Sequence, residues 1–265
     1  MDDQSLLGVL NAAADAASAA LARLADWGPA GTLPGQYRSD LAADEAAVGV
    51  LRDARLGVLS EESGLVDDDR EVIVVLDPVD GSTNAAQGIP WYGTSLCAVD
   101  EQGPRVALVA DQARGVRFHA IRGGGAWRDG RGTRPSACSR LDDAIVALSG
   151  WPGRHLGWRQ YRVLGAAALD LCLVADGVLD AYLECDGDGL GPWDYLAGML
   201  VCQEAGAAVA DLEGRDLVVL SHGARRTPIA AGTQELLESL ALSRLEGRAG
   251  APFGERRPAA WQKKS

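Results

Sequence analysis

Residues 76–84 read LDPVDGSTN, and the apolar run VIVVL (72–76) leads directly into them. Asp77 and Asp80 therefore stand three residues apart at the end of a predicted buried strand, EVIVVLD (71–77). An isolated buried carboxylate costs several kcal/mol or takes up a proton instead. A divalent cation would offset that cost, so the stretch predicts a metal site at a strand end.

The composition is that of a globular protein, with 265 residues, 47% hydrophobic and 23% charged. The N-terminal segment starts acidic and has no basic region, which predicts an amphipathic helix rather than a signal peptide. No apolar run reaches the roughly 20 residues of a membrane span, so we expect no membrane association and a cytoplasmic location. The net charge of −12 argues against nucleic acid as a partner.

The cysteines indicate neither a zinc site nor a disulfide framework, because their number is odd and none forms a C-x-x-C pair. Their apolar neighbours predict reduced, buried thiols. The five are Cys97, Cys138, Cys172, Cys185 and Cys202.

The pattern of apolar residues changes near residue 140. Residues 1–140 predict an α+β part with helices over 5–27 and 40–56, and with most of the candidate metal ligands. Residues 141–247 predict an α/β part, in which Gly206 ends one helix and Thr233 begins the last. Residues 248–265 have no apolar periodicity and are expected to form a mobile tail.

Further acidic residues lie at the ends of apolar elements, where a solvated helix face does not explain them. They are Glu61 and Glu62 in LSEESG (59–64) and Asp194 in GPWDYLAG (191–198). An oxygen-rich set without His or Cys is typical of Mg²⁺ sites. Two such ions about 3.5–4 Å apart stabilise both the attacking and the leaving oxygen of a phosphoryl transfer.

Taken together, SEESG, LDPVDGSTN and PWDYLAG resemble the inositol monophosphatase family of Mg²⁺-dependent, lithium-sensitive phosphatases. The likeness extends over GGGAWRDG (123–130), GAAALDLCLVADGVLDAYLE (165–184) and QEAGAAVADLEG (203–214), and so covers about residues 36–245. It implies a layered αβαβα sandwich of the inositol monophosphatase/fructose-1,6-bisphosphatase type. It also implies assembly as a homodimer.

The resemblance implies a ligand set for two to three Mg²⁺ ions in each active site. Glu62, Asp77 and the Val79 carbonyl would bind the first ion. Asp77, Asp80 and Asp194 would bind the second, and Glu62 would help to hold a third.

The resemblance also implies roles around the reacting phosphate. Gly81 and Ser82 would offer backbone N–H groups to the phosphate, and Ser82 and Asp44 would help to deprotonate a metal-activated water. Glu62 would act in catalysis through the metal. The residues implied to contact the substrate are Gly81, Ser82, Gly165, Ala166, Ala167, Glu184 and Asp194.

Departures from the family pattern leave the alcohol part of the substrate open. The stretch before Asp44 reads DLAAD and is shorter than usual, Ala166 replaces a hydroxyl residue, and the loop 185–192 adds Asp186 and Asp188. We expect a phosphomonoesterase for a small polyol phosphate, with myo-inositol 1-phosphate first. Histidinol phosphate, fructose 1,6-bisphosphate and 3′-phosphoadenosine 5′-phosphate are alternatives, as is a non-catalytic regulatory partner of the transcription or RNA machinery.

Overall fold

Helices and strands follow one another over most of the chain. The structure is a computed structural model that describes residues 1–32 and 35–249. The helices are α1 (Asp3–Arg23), α2 (Arg38–Asp53), α3 (Ser82–Ala86), α4 (Ala167–Ala175), α5 (Pro192–Ala205) and α6 (Gln234–Ala249). The strands are β1 (Gly57–Ser60), β2 (Gly64–Val66), β3 (Ile73–Asp80), β4 (Gly93–Asp100), β5 (Gly103–Asp111), β6 (Arg117–Ile121), β7 (Gly125–Arg128), β8 (Arg131–Gly132), β9 (Ile145–Ser149), β10 (Gln160–Arg162), β11 (Ala181–Glu184), β12 (Ala208–Asp211) and β13 (Pro228–Ala231).

The strands form two sheets. The first has eight strands in the order β2-β1-β3-β4-β5-β6-β7-β8, and the second has five in the order β10-β9-β11-β13-β12. Strand β3 is central in the first sheet and is buried along its whole length. It runs parallel to β1 and antiparallel to β4, so the residues that follow β1 emerge beside the end of β3.

Three apolar clusters show how the layers stack. Residues of α1 and α2 pack on one face of the first sheet. Helices α4 and α5 pack between the other face of that sheet and the second sheet. Helix α6 covers the far side of the second sheet. This order of helix, sheet, helix, sheet and helix confirms the expected layered αβαβα sandwich.

Strand β3 runs further than the sequence pattern predicts. It includes the whole of LDPVD, and its register against β4 shifts between Asp77 and Asp80. Pro78 has no N–H to donate, and such residues occur in sheets at irregular positions of this kind. The Pro78 carbonyl accepts a hydrogen bond from the Thr94 hydroxyl at 2.9 Å. The irregularity brings both aspartates to the end of the sheet.

Helix α1 has the length and the apolar composition of a membrane span. Its buried residues, among them Leu6, Leu10 and Leu21, pack into the cluster that α1 shares with α2 and the first sheet. The helix is therefore a core element of this fold.

Two helix ends agree with the sequence. Gly206 follows α5 with φ of 93°, and the Thr233 hydroxyl accepts a hydrogen bond from the Leu236 N–H at 3.2 Å. The connection between the sheets runs through residues 133–144, and the division into two parts near residue 140 stays a prediction. Helix α6 continues to Ala249, and the rest of the expected tail lies outside the described residues.

Candidate active site

A cleft of about 530 Å³ opens where the end of β3 meets the first turns of α3, α4 and α5. Nine of the residues expected at the site line it, namely Asp77, Val79, Asp80, Gly81, Ser82, Gly165, Ala166, Ala167 and Asp194. Five further residues line it as well, namely Glu61, Thr83, Ser149, Asp170 and Leu190. The fold therefore gathers most of the expected site from both sheets and the helix layer between them.

Three carboxylates converge in this cleft. Oxygen atoms of Glu61, Asp77 and Asp194 lie within 4.8 Å of one another. Glu61 directly follows β1, and its N–H donates to the Leu76 carbonyl of β3 at 3.1 Å. Asp194 is in the first turn of α5, where one carboxylate oxygen accepts from the Gly191 N–H at 2.7 Å. The backbone of three elements thus holds the cluster together.

The electrostatics of the cluster fit a cation. Burial raises the pKa of Asp77 well above its usual range, and the carboxylates of Glu61, Asp80 and Asp194 raise it further. No arginine, lysine or histidine is among the cleft-lining residues in the described part of the chain. Clustered carboxylates that lack a basic partner are the donor set that Mg²⁺ and similar hard cations prefer. The residues present therefore fit a divalent metal.

Asp80 lines the cleft and also connects β3 to α4 through hydrogen bonds. Its two oxygens accept hydrogen bonds from the N–H groups of Ala167 at 3.0 Å and Ala168 at 2.8 Å, at the start of α4. Burial raises the pKa of Asp80 to about 7, although these hydrogen bonds act in the opposite direction. The carboxylate thus links the end of β3 to the helix that lines the cleft.

The structure places Glu61 in the cluster, where the resemblance had implied Glu62. The Glu62 carboxylate accepts a hydrogen bond from the Gln36 side chain and is not among the cleft-lining residues. Burial raises the pKa of Glu62, and the Gln36 hydrogen bond partly offsets this. The two glutamates lie in the turn that follows β1, where Glu61 faces Asp77 and Glu62 faces Gln36.

A similar difference concerns the expected water-activating aspartate. Asp44 accepts hydrogen bonds from the Ser60 and Ser63 hydroxyls and makes no described contact with Ser82. Asp40, one turn earlier on α2, accepts a hydrogen bond from the Tyr37 N–H at 2.9 Å and lies close enough to the Ser82 hydroxyl for that group to lower its pKa. Burial raises the pKa of Asp40 to about 7, and hydrogen bonds from the Tyr37 N–H and Ser82 act against this.

The turn after Asp80 is closely packed. Gly81 has φ of 86°, and a Cβ atom there would lie 3.0 Å from the Trp91 carbonyl oxygen and 3.1 Å from Ala166. The Asn84 side chain donates to the carbonyls of Trp91 at 2.9 Å and Leu164 at 2.8 Å. These contacts fix the start of α3 against the chain that leads to α4. They explain why the motif requires Gly and Asn at these positions.

The remaining expected substrate residue, Glu184, lies behind the cleft. It ends β11 opposite Ser149 of β9, and Ser149 lines the cleft. One Glu184 oxygen accepts from the Asp186 N–H at 2.7 Å, while the other is buried without a hydrogen-bond partner in the described structure. Burial raises the pKa of Glu184 to about 7.

The whole-chain comparisons agree with this geometry. The model of the inositol monophosphatase family matches residues 38–246, which include every residue of the cleft. The chain belongs to the inositol monophosphatase family.

Individual relatives of the family are similar over most of their length. A fructose-1,6-bisphosphatase/inositol-1-monophosphatase of Archaeoglobus fulgidus is 35% identical over 68% of this chain and 71% of its own. The Nus factor SuhB of Escherichia coli K12 is 34% identical over 76% of this chain and 79% of its own. The crystal structure of the extragenic suppressor protein suhB from Bartonella henselae superimposes with a TM-score of 0.79, at 30% identity over 92% and 99% of the two chains.

Membership defines the class of chemistry. Proteins of the inositol monophosphatase family are metal-dependent phosphatases that act on small phosphate esters, so this chain is a phosphoric monoester hydrolase. The sequence motifs had predicted this class, and the comparisons confirm it. Glu61, an acidic candidate of the sequence to which the resemblance gave no role, lies in the carboxylate cluster. Asp40, which the sequence did not single out, is buried on α2 near Ser82.

Proposed function

We propose that this protein is a Mg²⁺-dependent phosphomonoesterase for a small polyol monophosphate, with myo-inositol 1-phosphate as the first candidate substrate. The observation that carries this proposal is the convergence of Glu61, Asp77 and Asp194 within 4.8 Å at the end of β3. It is supported by membership of a family of phosphatases.

The proposed ligands come from both parts of the chain. Glu61, Asp77 and the Val79 carbonyl would hold one Mg²⁺, and Asp77, Asp80 and Asp194 would hold a second. When bound, the metal polarises the phosphate and lowers the pKa of a water molecule, which makes hydroxide available near neutral pH. We keep a total of two to three ions per site as part of the proposal.

The protein's own groups bind and orient the phosphate and accept a proton. The Gly81 and Ser82 N–H groups would bind phosphate oxygens at the start of α3. The Ser82 hydroxyl, which lowers the pKa of Asp40, would take a proton from the attacking water as it gives its own proton to the Asp40 carboxylate. We therefore assign to Asp40 the role that the sequence had suggested for Asp44.

The lining of the cleft favours a substrate with one phosphate. Fructose 1,6-bisphosphate and 3′-phosphoadenosine 5′-phosphate carry a second phosphate, which proteins usually bind with arginine or lysine. The cleft-lining residues of the described chain include none of these. Ser149, which lines the cleft opposite the buried Glu184, suits a hydroxyl group of a polyol. Histidinol phosphate, which carries an amino group, stays an alternative.

A second candidate function follows from one relative. Because the Escherichia coli protein is named a Nus factor, a regulatory role with the transcription or RNA machinery is the alternative reading. The net charge of −12 disfavours direct binding to RNA, so such a role would act through protein partners. The homodimer and the cytoplasmic location also stay predictions, to be tested by light scattering and by cell fractionation.

The decisive test compares two adjacent glutamates. Phosphate release is measured with myo-inositol 1-phosphate, histidinol phosphate and fructose 1,6-bisphosphate, with and without Mg²⁺ and lithium. We expect Mg²⁺-dependent release that lithium inhibits, highest with the polyol monophosphate. Glu61→Gln should lower kcat/KM at least 100-fold, since it removes a ligand charge, while Glu62→Gln should lower it less than 10-fold.

Other outcomes have equally clear meanings. Equal losses in Glu61→Gln and Glu62→Gln would contradict the ligand assignment. No release from any of the three substrates, in a folded protein that binds Mg²⁺, would favour the regulatory alternative.

A further inference from the structure

His222 lies outside the cleft and contacts the two chain segments that carry Glu61 and Asp194, two of the three carboxylates of the cluster. His222 lies in the loop between β12 and β13, and it is not among the residues that line the cleft. Its Nε2 atom is 2.9 Å from the backbone oxygen of Glu61. Its ring centroid is 4.9 Å from that of Trp193, the residue before Asp194, with 35° between the ring planes.

The contact with Glu61 fixes the chemical form of the ring. A backbone carbonyl can only accept a hydrogen bond, so Nε2 of His222 carries the hydrogen and donates it. The Glu61 N–H donates to Leu76 of β3 at 3.1 Å. Both backbone groups of Glu61 are therefore bonded, one within the first sheet and the other to a loop of the second.

The segment that carries Trp193 is also held firmly, by burial of its side chain and by a backbone hydrogen bond. Trp193 is 3% exposed, and its carbonyl accepts a hydrogen bond from the Ser95 hydroxyl at 2.9 Å. The Arg225 guanidinium carbon is 5.1 Å from the Trp193 ring, and an Arg225 nitrogen donates to the His222 carbonyl at 2.9 Å. The loop thus holds the His222 ring in place against Trp193.

We propose that His222 is a positioning residue, which sets the separation of the Glu61 and Asp194 carboxylates and so raises the affinity of the site for divalent metal. The inference rests on the proposed metal site. A divalent cation requires its ligands within a few tenths of an ångström of their positions, and neighbouring residues that orient those ligands commonly change affinity by 10-fold or more. His222 is exposed and contributes a single exposed hydrogen bond, so we expect an effect no larger than the lower end of this range.

The test measures metal binding directly and does not need substrate. Mn²⁺, which takes the same oxygen ligands as Mg²⁺, is titrated into the full chain, and free Mn²⁺ is read by electron paramagnetic resonance alongside calorimetry. His222→Phe keeps a ring against Trp193 and removes the hydrogen bond. We expect its Kd for Mn²⁺ to rise about three- to tenfold. His222→Gln keeps a donor and should recover most of that loss.

The chain provides a matched control. His155 also packs on a tryptophan, with its ring centroid 4.9 Å from that of Trp158, and it does not line the cleft. His155→Phe should leave the Kd for Mn²⁺ within about 1.5-fold of the original protein. Thermal unfolding without metal separates positioning from folding, since a positioning role predicts similar midpoints for the two Phe variants.

Each remaining outcome decides the question. An unchanged Kd in His222→Phe overturns the inference while the proposed function stands. The inference also falls if His222→Gln binds Mn²⁺ as weakly as His222→Phe, because the donated hydrogen bond then has no part. If the original protein binds no Mn²⁺, both the inference and the proposed metal site are wrong.

Discussion

Asp40 and Asp44 lie one turn apart on α2, and both are buried beneath the same site. Their surroundings differ, because Asp40 accepts from the Tyr37 N–H and lies near the cleft-lining Ser82, whereas Asp44 accepts from the hydroxyls of Ser60 and Ser63. A buried carboxylate bonded to a reacting group suits proton transfer, while one bonded only to structural serines suits packing. On the proposed function, we therefore expect Asp40 to act in catalysis and Asp44 in stability.

This difference predicts opposite results for two similar variants. Asp40→Asn should lower kcat about 100-fold or more, since the amide cannot accept the proton. Asp44→Asn should retain most of the activity and lower the free energy of unfolding by about 1–2 kcal/mol, because an amide replaces a buried carboxylate whose Oδ1 accepts from two hydroxyls. Steady-state kinetics and urea unfolding on both variants measure this. A larger loss of kcat in Asp44→Asn would return the proton-accepting role to Asp44.

The sequence could show that the start of α2 carries a candidate proton acceptor, but not which aspartate it is. Asp40 and Asp44 are four apart, so helical periodicity places both on one face and gives no reason to choose. Glu61 and Glu62 present the opposite difficulty, since the direction of the chain as it leaves β1 decides which one faces Asp77. Both choices depend on contacts with Ser82 and with Leu76 that are remote in the sequence.

At the scale of elements, the packing of α4 against α5 brings Asp80 and Asp194 to one cleft. Gly198 of α5 makes this close approach possible, because a Cβ atom there would lie 2.7 Å from the Leu171 Cβ and 3.1 Å from the Ala168 carbonyl oxygen. Both of these neighbours belong to α4. The absence of a side chain at residue 198 therefore sets the distance between the helices.

Gly198→Ala should accordingly destabilise the fold by about 1–3 kcal/mol, because the added methyl group forces the helices apart. Gly49→Ala is the matched control on α2, where a Cβ atom would meet nothing within 4 Å. It should stabilise by about 0.5–1 kcal/mol, since alanine loses less backbone entropy in a helix. Thermal or urea unfolding gives both values. A stabilised Gly198→Ala protein would show that α4 and α5 adjust freely.

Most elements could be predicted because their signals are local. Apolar periodicity predicts α1, α2 and α5, and the glycine at residue 206 gives the end of α5. The end of β3 could not be placed, because Asp-Pro-Val-Asp looks like a turn, and only pairing with β4 keeps it in the sheet. The order of strands in the second sheet has no local signal at all.

At the scale of the whole molecule, several carboxyl groups are buried, and burial shifts their titration. The net charge is −12, and burial raises the pKa of Asp40, Asp80 and Glu184 to about 7 each. In the unfolded chain these groups titrate near pH 4. The folded protein therefore holds more protons than the unfolded chain between about pH 4 and pH 7. Folding and metal binding are consequently linked through these carboxylates.

The sign of this linkage gives a prediction for the metal-free protein. A carboxyl whose pKa is raised by folding contributes full stability below about pH 4, and that contribution is lost as the pH rises through about 7. Asp211 acts differently, since hydrogen bonds from Arg215 and Thr227 outweigh burial and lower its pKa. The contribution of Asp211 to the free energy of unfolding changes only below about pH 4. The free energy of unfolding in EDTA should therefore fall between pH 5 and pH 8, by about 1.4 kcal/mol for each pKa unit by which folding raises a carboxyl within that range.

Saturating Mg²⁺ should reduce this fall, because a bound cation stabilises the ionised carboxylates and adds its own binding free energy to the folded state. Urea unfolding at pH 5, 6.5 and 8, in EDTA and in Mg²⁺, measures both slopes. Glu184→Gln is the control, because Glu184 lies behind the cleft and outside the proposed ligand set. It should lessen the pH slope equally in EDTA and in Mg²⁺. A free energy of unfolding that rises with pH in EDTA would mean that groups of the folded chain already stabilise the ionised carboxylates without metal.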